Sequence, residues 1–166
     1  MTRVWLERRA RQTIRHEAVQ RRFLETGGAL FGYEAAGEVV VACAFGPGEH
    51  ARHRPRSFEP DRNTTAALIA SVREASEQRY RFLGSWHTHP REVAIPSGTD
   101  TRTAASMSAQ TDLLLPCPLL LIQATRGYRA TIKAGELVAW RWDDHTKDLR
   151  RTRIEAVDLE ERYCPA

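Results

Sequence analysis

Apolar positions along the chain change period several times, and each change marks an element. From Ala10 to Leu24, Ala10, Ile14 and Ala18 recur at helical spacing, with Val19 and Phe23 beside them. This predicts an amphipathic helix that Gly27-Gly28 ends, glycine being common just past a helix C-terminus. GALFGYE and EVVVACAFG follow, separated by Ala35-Ala36-Gly37, and read as a β-hairpin. The polar stretch PGEHARHRPRSFEP reads as a loop. Asp61, Arg62 and Asn63 each offer a start to a helix through Thr64–Arg79 whose apolar face carries Leu68, Ile69 and Val72.

Arg81–His89 returns as a strand, apolar at Phe82, Leu83 and Trp86. Gly98–Leu113 has helical composition and stops before Pro116. LLLIQAT, YRATIKA and ELVAWRW, with turns at Arg126-Gly127 and Ala134-Gly135, predict a three-stranded meander. Within it Val138, Trp140 and Trp142 alternate onto one face, as core residues do. The charged tail from Asp143 to Arg162 is expected to be partly helical through Leu149, Ile154 and Val157. Strands and helices mix without strict alternation, which predicts the α+β class (or α/β): one domain over residues 1–166, a mixed β-sheet flanked by helices, and a charged C-terminal tail from about 143.

Composition narrows this only a little. A 166-residue chain that is 42% hydrophobic and 28% charged can bury a core of its own. No apolar run approaches the roughly 20 residues of a membrane span, and the N-terminus lacks the apolar centre of a secretory signal. Three cysteines, Cys43, Cys117 and Cys164, are odd in number and far apart, so neither a disulfide framework nor a CxxC metal site is expected, and a reducing, cytoplasmic setting follows as the default. The net charge is +4, and of 25 basic residues only Lys133 and Lys147 are lysine. The N-terminal arginines alternate with apolar positions, which suits the wet face of a helix better than a nucleic-acid arm.

The chemistry concentrates in GSWHTHPREVAIPSGTD, residues 84–100. On a strand, His87 and His89 share a face, with Cα atoms roughly 6–7 Å apart, so their imidazoles can converge on one ion. A catalytic zinc site takes a third protein ligand and leaves its fourth position open. Asp100 can supply that ligand, because Pro90 and Pro96 keep the intervening chain out of regular structure. Taken alone, Ser97 and Asp100 also read as a capping box for the next helix. The joint spacing H-x-H-x₇-S-x₂-D favours a metal centre. His50 and His53 lie in the arginine-rich loop, where nothing nearby completes a ligand set. His16 and His145 sit isolated in charged stretches.

That spacing resembles the zinc motif of the JAB/MPN metalloproteases, also called JAMM. The family's upstream glutamate has its counterpart in ETGGALFG, residues 25–32, and the resemblance runs from the first helix to the strands beyond Asp100. It implies one Zn²⁺ per chain held by His87, His89 and Asp100, with Glu25 as general acid/base. Spacing alone would leave Glu25 a commonplace glutamate in a last helical turn. It also implies Ser97 as a donor behind the ligands that faces the oxyanion together with the metal.

The implied activity is cleavage after the C-terminal tail of a ubiquitin-like protein, removing it from targets or maturing its precursor, beside E1-like and E2-like enzymes in a bacterial antiphage system. The same motif would serve a peptidase that processes a sulfur-carrier protein. A non-catalytic MPN scaffold is disfavoured by the intact ligand set, and a nucleic-acid partner rests on the basic pI alone. Arg52, Arg54 and Arg56, in the loop beside the expected cleft, are candidates for engaging substrate.

Overall fold

The computed structural model describes residues 2–90, 93–126, 133–161 and 163–165. In chain order the elements are β1 (Arg3–Glu7), α1 (Arg8–Gln20), β2 (Gly27–Ala35), β3 (Glu38–Ala44), β4 (Arg52–Arg54), β5 (Ser57–Glu59), α2 (Arg62–Ala75), β6 (Arg81–Pro90), α3 (Gly98–Ala109), β7 (Leu119–Arg126), β8 (Lys133–Asp143) and β9 (Asp148–Val157), with a 3₁₀ turn at Thr111–Leu113. A mixed sheet with three helices makes this an α+β fold, as expected.

The sheet closes on itself in the order β1-β3-β2-β6-β7-β8-β9, while β4 and β5 form a separate hairpin. The β1·β3, β1·β9 and β6·β7 pairs are parallel and the remaining neighbours antiparallel. Period-2 alternation sorts side chains onto two faces, and both faces are covered. Leu30, Leu83, Leu119 and Leu121 join Ala10 and Ile14 of α1 in one cluster with Trp86. On the opposite face Phe31 and Phe82 meet Val72 of α2, while Leu120 and Ile122 meet Ala104 of α3. Burial on both faces is why LLLIQAT reads as an unbroken apolar run.

Several expectations change. Residues 3–7, for which the sequence suggested no element, form β1, and buried Glu7 at its end caps α1 by accepting the Arg9 and Ala10 N–H groups at 2.8 and 3.0 Å. The first helix buries Ala10, Ile14 and Ala18 but ends at Gln20, leaving Val19 and Phe23 exposed. Gly27-Gly28 do not end it. They open β2, where the backbones of neighbouring strands leave no room for a side chain: a Cβ on Gly28 would lie 1.9 Å from the Phe45 carbonyl oxygen, and one on Gly27 2.3 Å from that of Trp86. The β2–β3 hairpin turns as read, with Ala36 and Gly37 at φ 51° and 79°.

The loop before α2 contains the short β4–β5 hairpin, and Asp61 is the residue that caps α2. The helix expected through Leu113 ends at Ala109. Of the meander, YRATIKA falls mostly on residues 127–132, outside the described part, and ELVAWRW lies in β8.

The charged tail is not helical. Asp148–Val157 pairs antiparallel with β8 and parallel with β1, closing the barrel; Leu149 packs on one face with Trp142, Thr152 and Ile154 lie on the other, and Arg150, Arg151 and Arg153 stay exposed. The cysteines also depart from expectation. Cys43 and Cys164, 121 residues apart, are joined in a disulfide with Cα atoms 6.1 Å apart, because the segment after β9 runs back over β3. That pairing removes the argument for a reducing compartment drawn from the cysteine count. Among the described residues, no helix is long and apolar enough to cross a membrane.

Candidate metal centre

The centre is assembled where three segments meet. In β6, His87 and His89 share a face and are both buried, and their Nε2 atoms lie 3.0 Å apart. The chain then leaves the sheet through a loop pinned at two carbonyls. Val93 accepts from His89 Nδ1 at 3.0 Å, and buried Ala94 accepts from Trp140 Nε1 of β8 at 3.0 Å. The first of these bonds commits His89 Nδ1 as a donor, so Nε2 is the nitrogen that faces the site.

The loop delivers α3 with its N-terminus facing the histidines. Ser97 is the N-cap and Asp100 occupies the third helical position of a complete capping box. Asp100 Oδ2 accepts from the Ser97 N–H at 2.6 Å and from Ser97 Oγ at 2.7 Å, while Ser97 Oγ accepts from the Asp100 N–H at 3.2 Å. Its two oxygens stand 3.2 Å from His87 Nε2 and 3.6 Å from His89 Nε2. The capping box and the metal reading, alternatives in the sequence, therefore coincide: the cap is what aims the carboxylate. The Ser97 hydroxyl proton is directed at Asp100.

Charge at the site follows from this packing. Burial alone would raise the Asp100 carboxyl, but hydrogen bonds from His87 and His89 reverse that and hold it well below the usual carboxylate range. Burial opposes a charge on His89, yet Asp100, the Val93 carbonyl and more distant Glu25 outweigh it and raise the imidazole.

The three ligand atoms of His87, His89 and Asp100 lie within 4.8 Å of one another. Ligands about 2.0–2.1 Å from a tetrahedral zinc are separated by roughly 3.3 Å. Two edges of the donor set approach that length, from His87 Nε2 to His89 Nε2 at 3.0 Å and from His87 Nε2 to Asp100 Oδ1 at 3.2 Å, so two imidazoles and one carboxylate suit a tetrahedral ion whose fourth position they leave open.

Glu25 stands on the wall of the same cavity, which holds about 490 Å³. It lies between α1 and β2, not in a last helical turn. Its neighbour Thr26 is fully buried and exchanges bonds with β6: the Thr26 N–H donates to Thr88 Oγ1 at 3.0 Å, and Thr88 N–H donates to the Thr26 carbonyl at 2.8 Å. Thr103, Ala104 and Met107 of α3, Arg56, Ser57 and Phe58 of the hairpin, and Leu119 and Leu120 of β7 line the cavity as well.

The three candidate arginines separate. Arg56, at the hairpin turn, lines the cavity. Arg52 and Arg54 share the outer face of β4 and pair with Glu59 at 3.7 and 3.5 Å, both largely exposed. The residue between them, His53, points the other way. Its Nδ1 donates to the Glu25 carbonyl at 3.0 Å, and its ring packs on Phe58 with centroids 5.4 Å apart. Ligand spacing in the sequence gives His53 no role, because nothing near it completes a ligand set. The signal that could have found it is the alternation of RHR and SFE around Pro55-Arg56, which puts His53 and Phe58 on one face.

Comparison with known proteins follows the same outline. The pattern of the prokaryotic homologs of the JAB domain matches residues 7–143. The chain belongs to that family. A relative from Sinorhizobium fredii named "Probable metalloprotease y4qB" is 27% identical over 121 residues, covering 72% of this chain and 74% of the relative. The solution structure of protein DSY2949 from Desulfitobacterium hafniense superposes with a TM-score of 0.68 over 94% of both chains at 17% identity, a likeness of fold. The matched span of the JAB domain takes in Glu25, both histidines, Ser97 and Asp100.

Proposed function

We propose that this JAB-domain chain is a zinc-dependent JAMM-type isopeptidase or peptidase that cuts after the C-terminal tail of a ubiquitin-like protein. The observation that carries the reading is the convergence of His87, His89 and Asp100 on one point of a cleft whose wall also presents Glu25. Those three residues would hold the ion. When bound, Zn²⁺ supplies a Lewis acid for the scissile carbonyl and brings the pKa of water down to about 7.

This chain's own residues do the rest. Glu25 takes the proton of the attacking water and returns it to the leaving amine, a base and then an acid. Asp100, held ionised by its partners, keeps its lone pairs available at neutral pH. Ser97 fixes the orientation of Asp100 through its hydroxyl and backbone N–H. Phe58 and Met107 both line the cleft and would exclude water around an extended substrate tail. Of the three hairpin arginines, Arg56 is the one we assign to substrate, because it lines the cavity.

Such an enzyme would strip a modifier from its targets or trim its precursor, beside E1-like and E2-like partners in a bacterial antiphage conjugation system. A cytoplasmic site of action follows from those partners. The relative named as a probable metalloprotease supports the hydrolytic part of the reading.

The test uses metal-loaded protein and the modifier encoded beside its gene, presented both as a linear fusion and as an ε-amine conjugate. Cleavage that stops with chelator and in Glu25→Gln is expected. No cleavage of either form, with one equivalent of metal bound, refutes the reading. Cleavage confined to a sulfur-carrier adduct would give the site to the processing peptidase.

A further inference from the structure

The β4–β5 hairpin rests on the residues that carry Glu25. The Glu25 N–H donates to the Arg54 carbonyl at 2.8 Å, so one side of the residue is held by the backbone of β4. The next hairpin residue, Pro55, has no N–H to offer, and the donor reaching the Glu25 carbonyl is instead the His53 ring, at 3.0 Å. A third contact lies two residues on. Phe58 sits so close over Gly27 that a Cβ there would come within 2.8 Å of its ring. His53 and Phe58 also pack on each other. On its other flank the segment is locked to β6 through Thr26 and Thr88. The peptide carrying Glu25 is thus gripped from both sides, and on the hairpin side the grip on its carbonyl is a side chain.

We propose that His53 is a positioning residue for Glu25: its Nδ1–H fixes the Glu25 peptide plane, and thereby the direction in which the carboxylate enters the cleft. The inference rests on the reading of Glu25 as the proton carrier. His53 touches neither the ligand set nor, by this assignment, the substrate. Its effect passes through one carbonyl. A reacting group displaced by about 1 Å can lose about 10²-fold in rate, so losing this bond should lower kcat by roughly ten- to a hundredfold and leave KM alone.

Two variants separate the bond from the packing. His53→Phe keeps a ring against Phe58 and removes the donor. His53→Asn gives up the ring but places an amide N–H near the position of Nδ1. Amide hydrogen exchange at Glu25, the nitrogen-15 shifts of His53, metal content, melting temperature and steady-state kinetics are measured on all three metal-loaded proteins. In the unaltered protein His53 is expected to be protonated at Nδ1. Exchange at the Glu25 amide should speed up in His53→Phe and recover in His53→Asn. The kcat should fall and recover with it, while KM and metal content hold.

An unprotonated Nδ1, or unchanged exchange at Glu25 in His53→Phe, overturns the proposal whether or not the protein proves to be a peptidase. Normal kcat in His53→Phe, in a protein that loses activity as Glu25→Gln, overturns it while leaving the proposed function standing. If His53→Asn recovers nothing and both variants lose KM and melting temperature together, the ring only braces the hairpin and the proposal fails.

Discussion

Replacing Ser97 by alanine separates two jobs that one side chain performs. Ser97→Ala removes the acceptor for the Asp100 N–H, which is the helix cap, and the donor to Asp100 Oδ2, which steadies the carboxylate. The Ser97 backbone N–H at 2.6 Å survives, so Asp100 should swing without leaving. A lost N-cap costs about 1 kcal/mol. A lost outer-shell partner typically weakens metal binding by about 10–100-fold, equivalent to about 1.4–2.7 kcal/mol.

At about 2–4 °C per kcal/mol for a chain of this size, the metal-free variant should melt roughly 2–4 °C below its parent. The metal-loaded pair should differ by roughly 3–10 °C more, because stabilisation by a bound ion follows its affinity. Melting curves with and without Zn²⁺, together with titration against a chromophoric chelator, read both terms. At saturating metal, turnover should fall less than about tenfold, since the hydroxyl proton is directed at Asp100. Zinc affinity within twofold of the parent would refute the link between cap and ligand. A loss of about 10²–10³ in kcat at saturation, the usual cost of an oxyanion donor, would show the hydroxyl acting on substrate instead.

Glu25→Gln should keep its zinc and lose at least about 10²–10⁴ in single-turnover cleavage; loss of the metal would make Glu25 a ligand. Gly28→Ala should express poorly or melt far below the parent, because its Cβ would meet the backbone oxygen of Phe45 at 1.9 Å; near-native melting would mean that the strands there can part. Reduction of the Cys43–Cys164 bond should cost about 2–5 kcal/mol, the usual range for a native disulfide, and Cys164→Ser should melt like the reduced parent; equal melting of oxidised and reduced protein would rule out the stabilisation. Zinc uptake by metal-free protein should weaken as pH falls through the titration of His89. Burial opposes the proton on that ring, but Asp100 and the Val93 carbonyl outweigh it, so the raised imidazole keeps its proton to higher pH than a free one and must release it to bind; isothermal titration across pH 5–8 checks the sign.

Local signals were legible wherever neighbours in sequence are neighbours in space. The β2–β3 hairpin, the strand bearing His87 and His89, and the capping box at Ser97–Asp100 all close over short distances, so their residue types announce them. Where partners are remote, the signal fails. Strand β1 is five residues long and earns its place only by pairing with β3 and β9. Strand β9 reads as a charged, partly helical tail because only two of its positions, Leu149 and Thr152, are well buried, and they fall on opposite faces with arginines between them. Cys43 and Cys164 carry no mutual mark across 121 residues. At the site, the donor types and spacing were readable from the chain, but His53 was not. Its role is one hydrogen bond to a backbone carbonyl 28 residues away, and no spacing rule for ligands contains it.

The parallel β1·β9 seam also sets a clock on biosynthesis. Leu6 is in register with Ala156, so β1 leaves the ribosome long before its partner β9 exists and waits for the residues between them to be made. At roughly 5–20 residues per second, that wait is about 8–30 s, far longer than the microseconds in which a local hairpin such as β2–β3 can form. Until β9 emerges, β1 offers one bare edge able to pair with a second nascent chain. Deletions that remove β9 should therefore aggregate during translation, even though they leave every proposed ligand and Glu25 in place.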